Sequence, residues 1–315
     1  MRTFGIILVV ILGLIGLTFV AGRGGHESYD SKTFKPGPVI GMVKGLSDDA
    51  LEGRQTGTEG AKRAREMIIS RLQALELLKV GNSYAHPYEL DLEGQTVEGV
   101  NLIGVIGGTA KSRDRIVITA HYDHLGTKDG EIYNGADDNA SGVAGLLAIA
   151  EHFKRRKSPP KHTLMFVFFD NEDAMKAGSK AFMAEPPLPQ KQLAFNLSLD
   201  QLARAEDGVF WTSGAALAPT LTPVMERVSK EAPLDLKQLA ANGNDLANGL
   251  VEADLPYIAL RASGAETTPD ATDTFDNLHQ DTFLKSVETA VMVAQAIDNQ
   301  LEDLLGLPPL PSQEE

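Results

Sequence analysis

A three-layer α/β/α sandwich around a mostly parallel, mixed central sheet is the fold predicted by three observations. Short apolar, partly β-branched runs recur along the chain, helix-periodic segments alternate with them, and acids or histidines stand directly behind several of the runs. Residues 61–78 carry apolar side chains at helical spacing. NLIGVI (101–106) and RIVITA (115–120) follow as buried strands, then ASGVAGLLAIAEHF (140–153) as a helix. TLMFVFF (163–169) and LAFNLSL (193–199) read as two further strands, 219–231 as a helix, PYIAL (256–260) as a strand and 282–300 as the closing helix.

The 315 residues are 43% hydrophobic and 23% charged, enough for a large core. A net charge of -14 without a dense Lys/Arg cluster excludes a nucleic-acid partner. There are no cysteines, so any metal must sit on nitrogen and oxygen ligands. Phe4 to Ala21 is apolar and uncharged, and just long enough to span a bilayer. Residues 1–22 therefore read as a signal peptide or membrane anchor, and the rest as exported, periplasmic or extracellular, with a possible membrane tether. Residues 23–38 read as a linker, 39–305 as one domain and the proline-rich, acidic 306–315 as a flexible tail.

Ligands of open α/β sheets bind beyond the carboxyl ends of the strands, which directs attention to five places. In AHYDHLG, His121 can offer one ring nitrogen to a metal while Asp123, two residues on and on the same side of an extended chain, holds the other. In YNGADDNASG, Asp137, Asp138 and Asn139 crowd acceptors at a helix start; an N-cap explains one acid but does not need both. In FFDNEDAMKAGS, Asp170, Glu172 and Asp173 repel one another unless a cation or proton lies between them, with a solvated acidic turn as the plain alternative. Asp200 closes LAFNLSL and His279 stands in DNLHQDT; each is weak alone. His26 and His162 read as structural, and Trp211 as packing or specificity. Together the five places suggest a zinc site with O/N ligands.

In order and spacing, AHYDHLG, GADDNASG, an acidic pair before GS, a strand ending in Asp and a late His resemble the co-catalytic dizinc exopeptidases of clan MH. That group includes bacterial leucyl aminopeptidases and aminopeptidase Y, and the upstream LSDDALEGRQTGTEGAKRA resembles its opening helix region. The resemblance implies a phosphorylase/hydrolase-like zinc exopeptidase fold, with His121, Asp138, Asp173, Asp200 and His279 as ligands of two Zn2+ per chain. It further implies that Asp138 bridges the metals and precedes a cis peptide bond, that Asp123 orients His121, and that Glu172 is the general base. The expected reaction is aminopeptidase hydrolysis of a peptide with a free N-terminus by a metal-bridging hydroxide. A single-zinc acyltransferase of the glutaminyl-cyclase type and an inactive, peptidase-like binding protein are the alternatives.

Overall fold

The computed structural model describes residues 29–92, 94–110, 114–205, 208–214, 218–238, 250, 255–262 and 269–307. Its first helix, α1 (Pro36–Leu46), begins with proline in the first turn, where the missing N–H has no helical partner to lose. The expected linker thus gives way to helix at Pro36, ahead of residue 38. A 3-10 segment (Asp49–Arg54) leads to α2 (Glu59–Ala74), whose N-cap Thr58 accepts from the Ala61 N–H. Helical periodicity in the sequence runs on to Leu78, but the helix stops earlier because Glu76 turns left-handed and Leu78 pairs with Val105.

The sheet contains β1 (Ala85–Leu92), β2 (Gln95–Ile106), β3 (Arg115–His121), β6 (Thr163–Phe169), β7 (Leu193–Leu199), β8 (Val209–Ser213), β9 (Asp235–Gln238) and β10 (Tyr257–Arg261). Two short strands, β4 (Gly126–Lys128) and β5 (Glu131–Tyr133), form a separate hairpin. The order in the large sheet is β1-β2-β6-β3-β7-β10-β8-β9. β6, β3, β7 and β10 run parallel at its centre, as do β8 and β9 at one edge, while the β1–β2, β2–β6 and β10–β8 pairs are antiparallel. The remaining helices are α3 (Gly142–Arg155), α4 (Glu172–Met175), α5 (Ala177–Ala184), α6 (Ala218–Ser229) and α7 (Gln280–Leu305).

Strand alternation builds two cores, one on each face. Leu164, Phe166 and Phe168 of β6, with Ile116, Ile118 and Ala120 of β3, enter the larger core with α1, α2, α3, α6 and α7. Met165, Val167 and Phe169, with Val117, enter a smaller core beside Phe182 of α5. Helices on both faces of a mostly parallel sheet are the expected sandwich. No helix among the described residues is long and apolar enough to cross a membrane, and the apolar stretch from Phe4 to Ala21 lies outside them.

Candidate metal centre

The central parallel strands β3 and β7 place the first two ligand candidates. Thr119 of β3 is level with Ser198 of β7, so His121 and Asp200, two residues further along each, leave the sheet side by side. Both share the strand face of Val117 and Ser198, opposite the larger core. Asp138 arrives from the π-helical turn Ala136–Ser141, entered through Gly135 at φ 56°. A Cβ at Gly135 would lie 2.1 Å from the Asp138 carbonyl oxygen, so the turn admits only glycine there. The Asp138–Asn139 peptide is cis.

His121 Nε2 lies 3.4 Å from Asp138 Oδ1 and 3.6 Å from Asp200 Oδ1. One ligand atom from each of the three residues falls within 4.8 Å of the others. Two atoms each about 2.0–2.2 Å from a tetrahedral zinc lie roughly 3.3–3.6 Å apart, so the separations fit such an ion. The other ring nitrogen of His121 is 3.5 Å from Asp123 Oδ1 and 3.3 Å from the Asp123 carbonyl oxygen, an arrangement that directs Nε2 toward the two acids. Burial would raise the pKa of Asp200, but His121 and Arg261 together hold it below the ordinary carboxylate value.

Glu172 joins this assembly through Asp123. Its backbone N–H donates to both Asp123 oxygens at 3.1 Å, and its buried carboxylate accepts from the Ser179 hydroxyl at 2.7 Å and the Ser179 N–H at 3.2 Å. Asp170, at the same strand end, belongs to a separate buried network: it accepts from the Thr56 hydroxyl at 2.7 Å and the Val100 N–H at 3.0 Å. The side chain of Asp173 lies outside the described part of the structure. His279 is exposed at the N-cap of α7 and is not among the three converging residues.

The paired acids of the GADDNASG stretch have different surroundings. Asp138 faces His121, whereas Asp137 accepts from the Ala203 N–H at 2.7 Å and ties the turn to the segment after β7. Burial, reinforced by the charge of Asp273, pushes the Asp137 pKa up to about 7. Asn139 completes the tie: its amide donates to Leu199 O at 3.0 Å, and its oxygen accepts from the Gln201 N–H at 3.1 Å.

Three side chains that support the site went unread in the sequence. Asp273 is buried, accepts from the N–H groups of Asp137 and Asp138 at 2.9 Å, and pairs with Arg204 at 3.3 Å. Arg261, at the end of β10, donates to Asp200 Oδ2 at 2.6 Å. Arg54, wholly buried, donates to the carbonyls of Leu46, Tyr122, Asn134 and Gly135. Behind the turn, His124 is also buried, and its pKa is pushed down to about 4 by desolvation, with Arg54 and His121 adding to the shift and Asp138 opposing it.

An α/β sheet that gathers an imidazole and two carboxylates beyond its parallel strands is the framework of a metal-dependent enzyme. The chain belongs to peptidase family M28, whose family model matches residues 101–294. Membership in a peptidase family makes metal-dependent hydrolysis the activity it implies, with zinc as the implied cofactor. Among curated proteins it is similar to a vacuolar membrane protease of Clavispora lusitaniae, 33% identical over 103 residues, covering 33% of this chain and 9% of that protein. It is also similar to a putative endoplasmic reticulum metallopeptidase 1 of Schizosaccharomyces pombe, 27% identical over 183 residues, covering 52% of this chain and 22% of that protein. The matched part thus spans less than a quarter of either relative. Among solved structures, the LapA aminopeptidase of Legionella pneumophila superimposes with a TM-score of 0.65 at 17% identity, covering 84% of this chain and 70% of that one. Glutaminyl cyclase of Porphyromonas gingivalis superimposes with a TM-score of 0.67 at 18% identity, covering 85% and 99%. At these identities the two structures speak for the fold.

Proposed function

We propose that this chain is a zinc-dependent aminopeptidase that removes N-terminal residues from peptides. The observation that carries the reading is the convergence of one ligand atom each from His121, Asp138 and Asp200 within 4.8 Å, with His121 Nε2 at 3.4 and 3.6 Å from the two acids, on a framework where His121 is oriented by Asp123. Zinc held there supplies Lewis acidity, lowering the pKa of water and polarising a carbonyl. The protein's own part is proton movement and placement. Glu172 is the base that takes the proton of the attacking water and delivers it to the departing amine. Ser179 fixes its carboxylate by two hydrogen bonds, and Asp123 fixes its backbone.

Asp173 and His279 would hold a second zinc together with Asp138, as the family resemblance implies, and metal counting on purified protein should then return two per chain. Export, with Phe4 to Ala21 as signal or tether, belongs to the same proposal; the curated relatives are named as membrane proteases or a reticulum metallopeptidase.

The test is hydrolysis of aminoacyl-nitroanilides with and without chelator. Turnover of free but not N-blocked substrates, lost on chelation and restored by zinc, supports the reading; turnover of N-blocked substrates alone overturns it. Glu172→Gln should abolish turnover while leaving zinc content intact. Likeness to glutaminyl cyclases favours one second reading, cyclisation of N-terminal glutamine. Ammonia release from glutaminyl peptides, without nitroanilide hydrolysis, would select it.

A further inference from the structure

The end of β10 carries a cation into the ligand cluster. Ala259 of β10 is level with Ser198 of β7, so Arg261 flanks Asp200 on the side away from His121. Imidazole, carboxylate and guanidinium therefore stand in a row across three neighbouring parallel strands. The two oxygens of Asp200 are divided between them: Oδ1 faces His121 at 3.6 Å, and Oδ2 accepts from Arg261 Nη2 at 2.6 Å. Arg261 is buried at 6% exposure, and its Nε and Nη1 have no hydrogen-bond partner among the described residues. Burying guanidinium donors in this way costs stability, so packing alone gives little reason for an arginine here. Its well-made contact is the one to Asp200.

We propose that Arg261 is a positioning residue of the cation site: by holding Oδ2 of Asp200 it presents Oδ1 alone to the cation and fixes that ligand in one orientation. The proposal rests on the metallopeptidase reading of the cluster but goes beyond it, since no ligand assignment includes Arg261. Partners that orient a ligand in this way typically change metal affinity about 10- to 100-fold when removed. The guanidinium charge also opposes a cation, and the orienting effect is here inferred to outweigh that repulsion.

The experiment measures metal binding by the full chain rather than turnover. Zinc affinity is determined by competition with a chromogenic chelator, and ligand geometry by the visible absorption of the Co2+-substituted protein. Arg261→Met should weaken zinc about 10- to 100-fold and alter the cobalt spectrum. Arg261→Lys, which keeps a cation able to reach Oδ2, should recover part of both. If Arg261→Met fails to fold, Arg261→Gln, which retains an amide donor, should show an intermediate loss of affinity. Unchanged affinity and spectrum in Arg261→Met or Arg261→Gln would overturn the role. So would tighter zinc binding, which would make the arginine a brake on cation loading. A wild-type chain that binds neither metal would overturn the cluster reading itself, a failure distinct from any difference between variants.

Discussion

Arg54→Met tests how the site is held from outside the chemistry. Arg54 donates to Leu46 O and Asn134 O at 2.6 Å, to Tyr122 O at 2.7 Å and to Gly135 O at 3.0 Å. Tyr122 lies between His121 and Asp123, and Gly135 opens the turn to Asp138, so one guanidinium ties both ligand-bearing segments to the end of α1. Methionine matches its length and burial but leaves these carbonyls without that donor. At about 1 kcal/mol for each, the low end for a stranded buried acceptor, the loss is roughly 4 kcal/mol. Release of the guanidinium from its own desolvation acts the other way, so the net expectation is about 2–4 kcal/mol. Against a typical domain stability of about 5–15 kcal/mol, the variant should remain folded with a much lower urea midpoint. Arg54→Lys, with one short ammonium in place of a fork, should fall between. Urea unfolding followed by circular dichroism measures both. If Arg54→Met lies within about 1 kcal/mol of wild type, the carbonyls have found other donors and the argument fails.

Three further outcomes are expected. Asp123→Ala should weaken zinc about 10- to 100-fold because the second nitrogen of His121 loses the carboxylate beside it and keeps only the backbone carbonyl at position 123; chelator competition reads it, and unchanged affinity would count against the orienting role of the carboxylate. Gly178→Ala should cost about 1–3 kcal/mol, because its Cβ would lie 2.2 Å from Asp170 O and 2.6 Å from Asn101 Oδ1; an unchanged melting temperature would show that this strand end yields freely. His162 is buried between Asp298 and Glu302; desolvation lowers its pKa, but the hydrogen bonds to these carboxylates outweigh it and the net shift is upward. Its contribution to stability should therefore be complete below the unfolded value of about 6.5 and vanish as pH rises through the folded one. His162→Gln should lack that component, and urea midpoints of the two proteins that fall in parallel on going from acid to alkaline pH would refute it.

Much of the sheet was legible because its central strands are buried on both faces. TLMFVFF and LAFNLSL coincide with β6 and β7, and RIVITA lacks only His121 of β3. The edges were not legible: β1 is largely half-exposed and β9 shows little burial, so neither presents a continuous apolar run. Within the site, His121, Asp138 and Asp200 were readable as polar groups directly behind strands or a turn. Arg261 satisfies the same positional rule after PYIAL, yet an arginine ending a strand reads as a solvated cation until its neighbour is known to be Asp200. Asp273 is one of several acids in DATDTFD, and only the fold shows that it receives the N–H groups of the Asp137–Asp138 turn. Asp170 looked like a member of the acidic cluster, but strand alternation turns it away, toward Thr56 and Val100.

On the proposed reading of the site, the row of His121, Asp200 and Arg261 ties metal capture to the progress of folding. These residues are separated by long stretches of chain and meet only when β3, β7 and β10 have been laid side by side in register. A one-residue slip of β7 would carry Asp200 through to the opposite side of the sheet and leave the imidazole without its neighbour. Tight zinc uptake by a nascent or refolding chain is thus a report that the centre of the sheet has closed correctly, and a chain arrested before β10 docks would hold the ion with an unsteadied aspartate.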